Sequence, residues 1–228
     1  MTFDFGVVER SLGYLFLTGM GFTLTLTGLA ASGGVVLGTG IALLRLSGGR
    51  VLGGLATGYV NLMRSLPLVL VIFWFYFLVP YVGQWATGAS RPVAVGAFAS
   101  SLLTFTLFEA AYFSEIIRAG IGSVARGQMQ AGLALGLTYR QVMGSVVLPQ
   151  VFRTMLPVLL TQTIILFQDT SLVYVLSITD FLGAASKIAQ RDGRLVEMYV
   201  FAALVYFLIC FAASQAVKRL GGRIAIIR

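Results

Sequence analysis

The sequence contains no histidine and one cysteine among its 228 residues. Without histidine, the chain lacks the side chain that most often serves as a general base, as a metal ligand or as a charge switch near neutral pH. The single cysteine, Cys210, lies within an apolar run, so neither a disulfide framework nor a cysteine metal cluster is expected. The sequence also lacks a GxxxxGK[ST] phosphate-binding loop, an HExxH motif and a GxSxG motif. These absences argue against an enzyme and assign any nucleotide hydrolysis to another subunit.

Charged residues are scarce as well. They make up 11% of the chain, whereas 58% is hydrophobic and the mean hydropathy is +0.92. Several uncharged runs exceed the roughly 18–20 residues that a helix needs to cross hydrocarbon. The net charge is +8, but the basic residues lie at the ends of apolar runs, where they set orientation in a membrane rather than bind nucleic acid. The composition therefore predicts an all-α membrane protein, with residues 1–228 forming one domain in the lipid bilayer.

The apolar runs predict about five membrane-spanning helices. Their approximate ranges are residues 20–44, 59–79, 92–117, 156–179 and 196–217. The segment before them, residues 1–12, suits the membrane interface and lacks the basic start of a cleavable signal peptide.

Basic residues predict the orientation of these spans, because lysine and arginine accumulate on the cytoplasmic side. Five spans place the two termini on opposite sides of the membrane. With the amino terminus outside and the carboxyl terminus in the cytoplasm, eleven basic residues lie inside, namely Arg45, Arg50, Arg64, Arg118, Arg126, Arg140, Arg153, Lys218, Arg219, Arg223 and Arg228. The other five lie outside, namely Arg10, Arg91, Lys187, Arg191 and Arg194. The loop of about residues 120–153 is then cytoplasmic.

This cytoplasmic loop carries polar residues, helix formers and glycines between two apolar regions. The residues between Gly127 and Gly136 predict a short helix of about two turns. Pro149 is predicted to end the helical piece that follows, because proline lacks the N–H group and its ring clashes with the preceding turn. The pattern suits a docking surface for a partner, and an ordinary amphipathic loop has the same periodicity.

Two carboxyl groups are predicted to lie at membrane depth, Glu109 in the third span and Asp169 in the fourth. An ionisable group there costs at least about 2–3 kcal/mol, so both are candidates for a functional site. Hydrogen-bonding neighbours accompany Asp169 in the fourth span, namely Gln162, Gln168 and Thr170. Such a group suits a small polar solute, and it equally suits a polar seam between helices.

Three further charged residues belong to this region. Glu115 and Arg118 are spaced i, i+3 and are predicted to form an ion pair on one helix face. Arg64, just inside the start of the second span, is the third of these residues. Arg64, Arg118 and Arg153 either face a cavity or only set topology.

Within the loop, the pattern Gln130-Ala131-Gly132, three residues, Gly136, nine residues, Val146, one residue and Leu148-Pro149 resembles the EAA loop of ABC-importer permeases. That loop is Glu-Ala-Ala, three residues, Gly, nine residues, Ile, one residue and Leu-Pro. Both gaps match. The departures are Gln130 for Glu, Gly132 for the second Ala and Val146 for Ile, and the first of these removes a charge from the motif.

Other stretches extend the resemblance over nearly the whole chain. EAAYFSEIIRAGI (109–121), SVARGQ (123–128), LPQVFR (148–153) and FQDTSLVYVLS (167–177) are similar to the polar amino acid branch of these permeases. With ERSLGYLFLTGMGFTLTLT (9–27) and QRDGRLVEM (190–198), the chain is most similar to glutamate/aspartate import permeases. Permeases for glutamine or basic amino acids share most of these motifs and are the alternative.

The resemblance implies a type I ABC importer permease of the bacterial inner membrane, working as one of two permease subunits in a heterodimer. It implies a periplasmic amino-acid-binding protein and a dimer of cytoplasmic ATPases that bind the ATP, so the chain itself needs no cofactor. By position in the motif, the implied ATPase-coupling residues are Gln130, Ala131, Gly132, Gly136, Leu148 and Pro149. The expected substrate pathway comprises Gln162, Gln168, Asp169, Thr170, Glu109, Arg64 and Arg118.

Other function classes are less compatible with the sequence. An ATP-independent channel or a secondary transporter is the main one, but secondary transporters usually contain internal repeats and none is evident here.

Overall fold

The structure is a computed structural model that describes residues 4–224, apart from the side chain of Arg126. Arg228, counted above among the cytoplasmic basic residues, lies outside the described residues. The regular elements within the described range are helices. They are α1 (Phe5–Glu9), α2 (Gly21–Ser47), α3 (Gly49–Ser65), α4 (Leu68–Thr87), α5 (Ala97–Gly122), α6 (Arg126–Ala134), α7 (Tyr139–Val142), α8 (Leu148–Asp169), α9 (Phe181–Asp192) and α10 (Leu195–Ile224).

Three segments of altered helical pitch join these elements. A π-helical segment, Tyr14–Met20, leads into α2, and a second, Met143–Val147, joins α7 to α8. A 3₁₀ segment, Thr170–Leu176, continues α8. The fold is therefore all-helical, as the sequence predicts.

Four helical stretches in the described part of the chain are long and apolar enough to cross a membrane. They are Tyr14–Ser47, Leu68–Thr87, Tyr139–Leu176 and Leu195–Ile224. Helix α5, which contains most of the predicted third span, is not among these four and carries three charged residues. The number of five spans and the orientation of the termini stay predictions.

The predicted second span, residues 59–79, is not one helix. The chain leaves the helical conformation at Leu66, with φ −105° and ψ 139°, and α4 begins only after Pro67. Proline disfavours the α conformation in the residue before it, which explains the break. Helix α4 then continues through Pro80 to Thr87 instead of ending at Pro80.

The prediction that Pro149 ends a helix is wrong. Helical backbone runs from Tyr139 to Leu176, and Pro149 lies in the first turn of α8. The π-helical segment Met143–Val147 immediately precedes this turn. A proline in a first helical turn sacrifices few hydrogen bonds, and π segments relax the regular spacing, so the chain stays helical here.

Helix α5 lies at the centre of the packing, in contact with α2, α3, α4 and α8. Its contact with α2 is close because glycines on α2 face it. A Cβ atom on Gly38 would lie 2.9 Å from the Ala110 carbonyl oxygen and 2.9 Å from the Phe113 Cβ. Small residues at such crossings let two backbones approach within a membrane. The charged residues of α5 are thereby held at fixed positions against the neighbouring helices.

Helices α9 and α10 form a second packed region with the start of the α2 stretch. Phe181, Ala184 and Ala185 of α9 are fully buried there with Leu15 and Met198. Gly19 allows the contact, since a Cβ on it would lie 2.9 Å from the Ala184 Cβ.

Candidate functional site

Glu109 lies at the centre of the polar group and is completely buried on α5. The Gln162 side chain on α8 donates to it, with Nε2 3.3 Å from Oε1 and 3.2 Å from Oε2. Two residues that the sequence singled out separately are therefore in contact. These hydrogen bonds connect α5 to α8, so the pair also acts as part of a polar seam.

Asp169 belongs to the same group. It follows Gln162 by seven residues, which places both on one face of α8, two turns apart. Its carboxyl group is partly exposed and interacts electrostatically with Glu109 and with Tyr112. Two carboxyl groups and an amide oxygen along this face provide acceptors suited to an ammonium group.

The structure does not bring Gln168 and Thr170, the other two polar residues predicted beside Asp169, into this group. Thr170 is buried, and its hydroxyl donates to the Phe167 carbonyl oxygen at 2.7 Å. Gln168 is exposed on another face, where it lines a cavity of about 280 Å³ with Tyr206 and Cys210 of α10. Each residue of a helix is rotated about 100° from the one before it, so consecutive side chains face different neighbours.

Glu115 is the centre of a cluster of four charged residues. Arg118 forms the predicted ion pair with it. Arg45, at the end of α2, donates from Nη1 to Glu115 Oε2 at 2.5 Å, and Arg64 of α3 lies 3.9 Å from the same oxygen. The sequence assigned Arg45 and Arg64 to the cytoplasmic side but contained no signal that three helices converge on one carboxylate.

Tyr112 connects the Glu115 cluster to the Glu109 group, and sequence reasoning missed it. The Arg64 Cζ lies 5.6 Å from the centroid of the Tyr112 ring. Tyr112 interacts electrostatically with Arg64, Glu109 and Asp169. The available signal was its spacing, because Tyr112 follows Glu109 by three residues and so lies on the same face of α5.

The loop motif forms a helix, a tight turn and a second helix. Helix α6 spans Arg126–Ala134, which confirms the predicted short helix. It ends in a Schellman motif, in which the Gly136 N–H donates to the Leu133 carbonyl at 3.0 Å and the Leu137 N–H donates to the Gly132 carbonyl at 3.2 Å. Gly136 has φ +80°, a left-handed conformation that glycine adopts without strain.

The second glycine of the motif has a packing role. A Cβ on Gly132 would lie 2.7 Å from Val142 Cγ2, so the small residue lets α6 lie against α7. Helix α7 begins with a capping box, in which Thr138 and Gln141 bond reciprocally. Val142 then packs in a small core with Val147 and Val151, beneath the loop.

The remaining motif residues, Gln130, Ala131, Leu148 and Pro149, are exposed. Apolar side chains accompany them on the surface. Leu135 is 82% exposed, and Leu133 and Tyr139 are also exposed. The turn therefore presents an apolar surface on a short, well-capped helical hairpin.

Comparison with known proteins identifies a family. Residues 34–226 match the family model described as a binding-protein-dependent transport system inner membrane component. The chain is 50% identical over 223 residues to the glutamate/aspartate import permease protein GltK of Escherichia coli O157:H7, covering 98% of the chain and 99% of GltK. It is 31% identical to the probable glutamine ABC transporter permease protein GlnM of Bacillus subtilis (strain 168), covering 92% of the chain and 93% of GlnM.

A solved structure has the same fold. It is the crystal structure of an amino acid ABC transporter with histidines, which superimposes with a TM-score of 0.84 at 30% sequence identity. The alignment covers 98% of this chain and all of the matched one.

Proposed function

Because the chain belongs to the family of binding-protein-dependent transport system inner membrane components, we propose that it imports glutamate and aspartate as one transmembrane subunit of an ATP-driven transporter. It is an amino acid ABC transporter permease and a multi-pass protein of the bacterial inner membrane. The observation that carries the acidic substrate is the 50% identity to a glutamate/aspartate import permease over nearly the full length of both chains.

Energy coupling is proposed to occur at the hairpin of α6 and α7. Two cytoplasmic ATPase subunits bind and hydrolyse ATP, and one of them receives the exposed surface formed by Gln130, Ala131, Gly136, Leu148 and Pro149. The exposed Leu135 supports this role, because an apolar side chain at the tip of a capped hairpin suits burial in a partner. ATP then shifts the permease between outward-facing and inward-facing states to the extent that it binds one of them more tightly.

The solute pathway is proposed to pass the polar group on α5 and α8. Glu109, Gln162 and Asp169 offer oxygen acceptors to the ammonium group of an amino acid. Arg64 and Arg118 supply positive charge farther along α5, beside Glu115. Gln168 and Thr170 are the weakest members of the proposed pathway, since their side chains are directed elsewhere.

Glutamine is the second candidate solute, because a probable glutamine permease is 31% identical over most of its length. Uptake assays distinguish the two candidates. An acidic amino acid importer takes up labelled glutamate, and excess unlabelled aspartate suppresses this uptake. A glutamine importer takes up labelled glutamine instead, and excess aspartate leaves that uptake unchanged.

The assembly is proposed to contain a second, different permease subunit and a periplasmic amino-acid-binding protein. Affinity purification of the chain from its native membrane in mild detergent, followed by mass spectrometry, tests this composition. We expect a P-loop ATPase and a second, similar permease to copurify. Recovery of the chain without an ATPase would count against the importer. Recovery with an ATPase but with only further copies of the chain itself would count against the heterodimer.

A further inference from the structure

The Glu115 cluster contains more positive charge than its single carboxylate neutralises. Three guanidinium groups surround Glu115, from Arg45 on α2, Arg64 on α3 and Arg118 on α5. Only two of them are within hydrogen-bond distance, since the Nη1 of Arg64 lies 3.9 Å from Oε2. Arg64 is therefore the least neutralised of the three.

The Arg64 guanidinium is stacked against an aromatic ring. Its Cζ lies 5.6 Å from the centroid of Tyr112, close enough for a cation–π interaction. Its side chain is 43% exposed, compared with 10% for Arg45. An arginine that only sets membrane orientation needs no such partner, because it can extend into water. The stacking instead fixes a partly exposed guanidinium at one position.

This position lies beside the proposed solute group. Glu109, Tyr112 and Glu115 follow one another at intervals of three residues on α5, so they form an oblique line that winds about 120° around the helix. Tyr112, in the middle, interacts electrostatically with both Arg64 and Glu109. At about 1.5 Å of rise per residue, Glu109 and Glu115 are about 9 Å apart along the axis, with Tyr112 between them. Oxygen acceptors lie at one end of this line and an incompletely paired guanidinium lies near the other. An amino acid has the complementary arrangement, with an ammonium group and at least one carboxylate.

From this arrangement we infer that Arg64 binds a carboxylate of the transported amino acid, while Glu109 and Asp169 receive its ammonium group. The guanidinium fork matches a carboxylate in geometry, and Tyr112 keeps it oriented. Glu115 is a positioning residue, because its pairing with Arg45 and Arg118 fixes the cluster and leaves Arg64 available. This inference rests on the proposed transport function. The carboxylate is either the α-carboxylate or the side-chain carboxylate, and the experiment below separates them.

The test is equilibrium binding of radiolabelled L-glutamate to the purified permease–ATPase complex, without the binding protein, and parallel binding of L-glutamine. The variants are Arg64→Gln, which removes the charge, and Arg64→Lys, which keeps the charge but loses the fork. Arg50→Gln is the matched control, because Arg50 is an exposed arginine at the opposite end of α3. We expect Arg64→Gln to raise the Kd for glutamate about tenfold or more, Arg64→Lys to raise it less, and Arg50→Gln to leave it unchanged.

The two amino acids then identify the carboxylate. If Arg64→Gln weakens glutamate and glutamine binding equally, Arg64 binds the α-carboxylate that both share. If it weakens glutamate binding alone, Arg64 binds the side-chain carboxylate. If the Arg64→Gln complex aggregates, Arg64→Lys is compared with the wild type instead, and we expect a several-fold increase in its Kd for glutamate.

An unchanged Kd for both amino acids in a soluble Arg64 variant would overturn the inference. A wild-type complex that transports glutamate with its binding protein but binds none without it would also overturn the inference and leave the proposed function intact. A complete wild-type assembly that imports no amino acid would remove the proposed function itself.

Discussion

At the scale of single residues, Glu115 has the densest set of contacts among the charged residues of α5. It bonds to Arg45 and Arg118 and lies near Arg64, so it connects α2, α3 and α5 by charge. The negative charge of Glu115 offsets part of the electrostatic repulsion among the three arginines. Its removal leaves positive charge uncompensated in a partly buried place, and this is more costly than the loss of a surface ion pair.

We therefore expect Glu115→Gln to lower the free energy of unfolding by about 1–3 kcal/mol, between the values typical of exposed and buried ion pairs. The measurement is the thermal unfolding midpoint of the purified complex in detergent. Glu9→Gln is the control, because Glu9 is exposed at the end of α1. Equal midpoints for Glu115→Gln and Glu9→Gln would show that the cluster does not stabilise the helix packing.

Asp169 gives the second prediction at this scale. Because its carboxyl group shares a face of α8 with Gln162 and interacts with Glu109, we expect Asp169→Ala to reduce uptake about tenfold or more while assembly continues. Uptake by proteoliposomes and copurification with the ATPase measure the two properties separately. Thr161→Val on the exposed side of the same helix is the control, since its hydroxyl bonds only to the Pro157 carbonyl among the described contacts. Normal uptake kinetics in Asp169→Ala would exclude Asp169 from the pathway.

Contacts within one helix were predictable from the sequence, but contacts between helices were not. The i, i+3 spacing of Glu115 and Arg118 predicted their ion pair correctly, because both lie on one helix. The contacts of Arg45 and Arg64 with Glu115 depend on how α2 and α3 pack against α5. Periodicity within one helix contains no information on that packing. Gln168 and Thr170 illustrate the opposite error, since closeness in sequence to Asp169 did not bring them onto its face.

At the scale of elements, the prolines show where sequence-based prediction of helix ends failed, since the predicted second span crosses Pro67 without a break. Pro67 divides α3 from α4 because it forces Leu66 into an extended conformation. Pro149 lies in the first turn of α8, where proline is tolerated, and it does not end a helix. Pro80 lies within α4, which continues to Thr87. A proline thus predicts a break only together with its position in the helix, which the sequence alone did not define.

Gly136 supports a prediction about the α6–α7 hairpin. Its φ of +80° is strained for other residues, by about 1–2 kcal/mol, so Gly136→Val is expected to distort the Schellman turn and shift α6 relative to α7. If the hairpin transmits ATPase motion, the amount of solute transported per ATP hydrolysed falls several-fold although the subunit stays in the membrane. Gly127→Val is the control, because Gly127 lies in α6 with ordinary φ and open space around its Cβ position. Unchanged coupling in Gly136→Val would argue against the hairpin as the coupling surface.

At the scale of the whole molecule, low charge and long apolar runs were sufficient to predict an all-helical membrane protein. The extra elements were not predictable in the same way. Helix α9 is short, and its buried alanines and glycine lack the long apolar run that identifies a span. It is stabilised by packing against the start of the α2 stretch and against α10, which is a property of the folded chain rather than of the segment.

The charge distribution of the whole chain is consistent with the proposed transport of an amino acid. A chain of +8 net charge buries Glu109 and leaves Arg64 incompletely paired, so both signs of charge lie near Tyr112. This is the arrangement that the proposed path of a zwitterionic solute requires.

The most direct test of this account is uptake of radiolabelled L-glutamate by proteoliposomes that contain the copurified complex and its binding protein, with ATP supplied to the ATPase side. We predict uptake that requires ATP hydrolysis, that excess unlabelled aspartate suppresses, and that excess glutamine leaves largely unchanged. Glutamate uptake that proceeds without ATP, or no uptake by a complete and ATP-hydrolysing complex, would contradict the account.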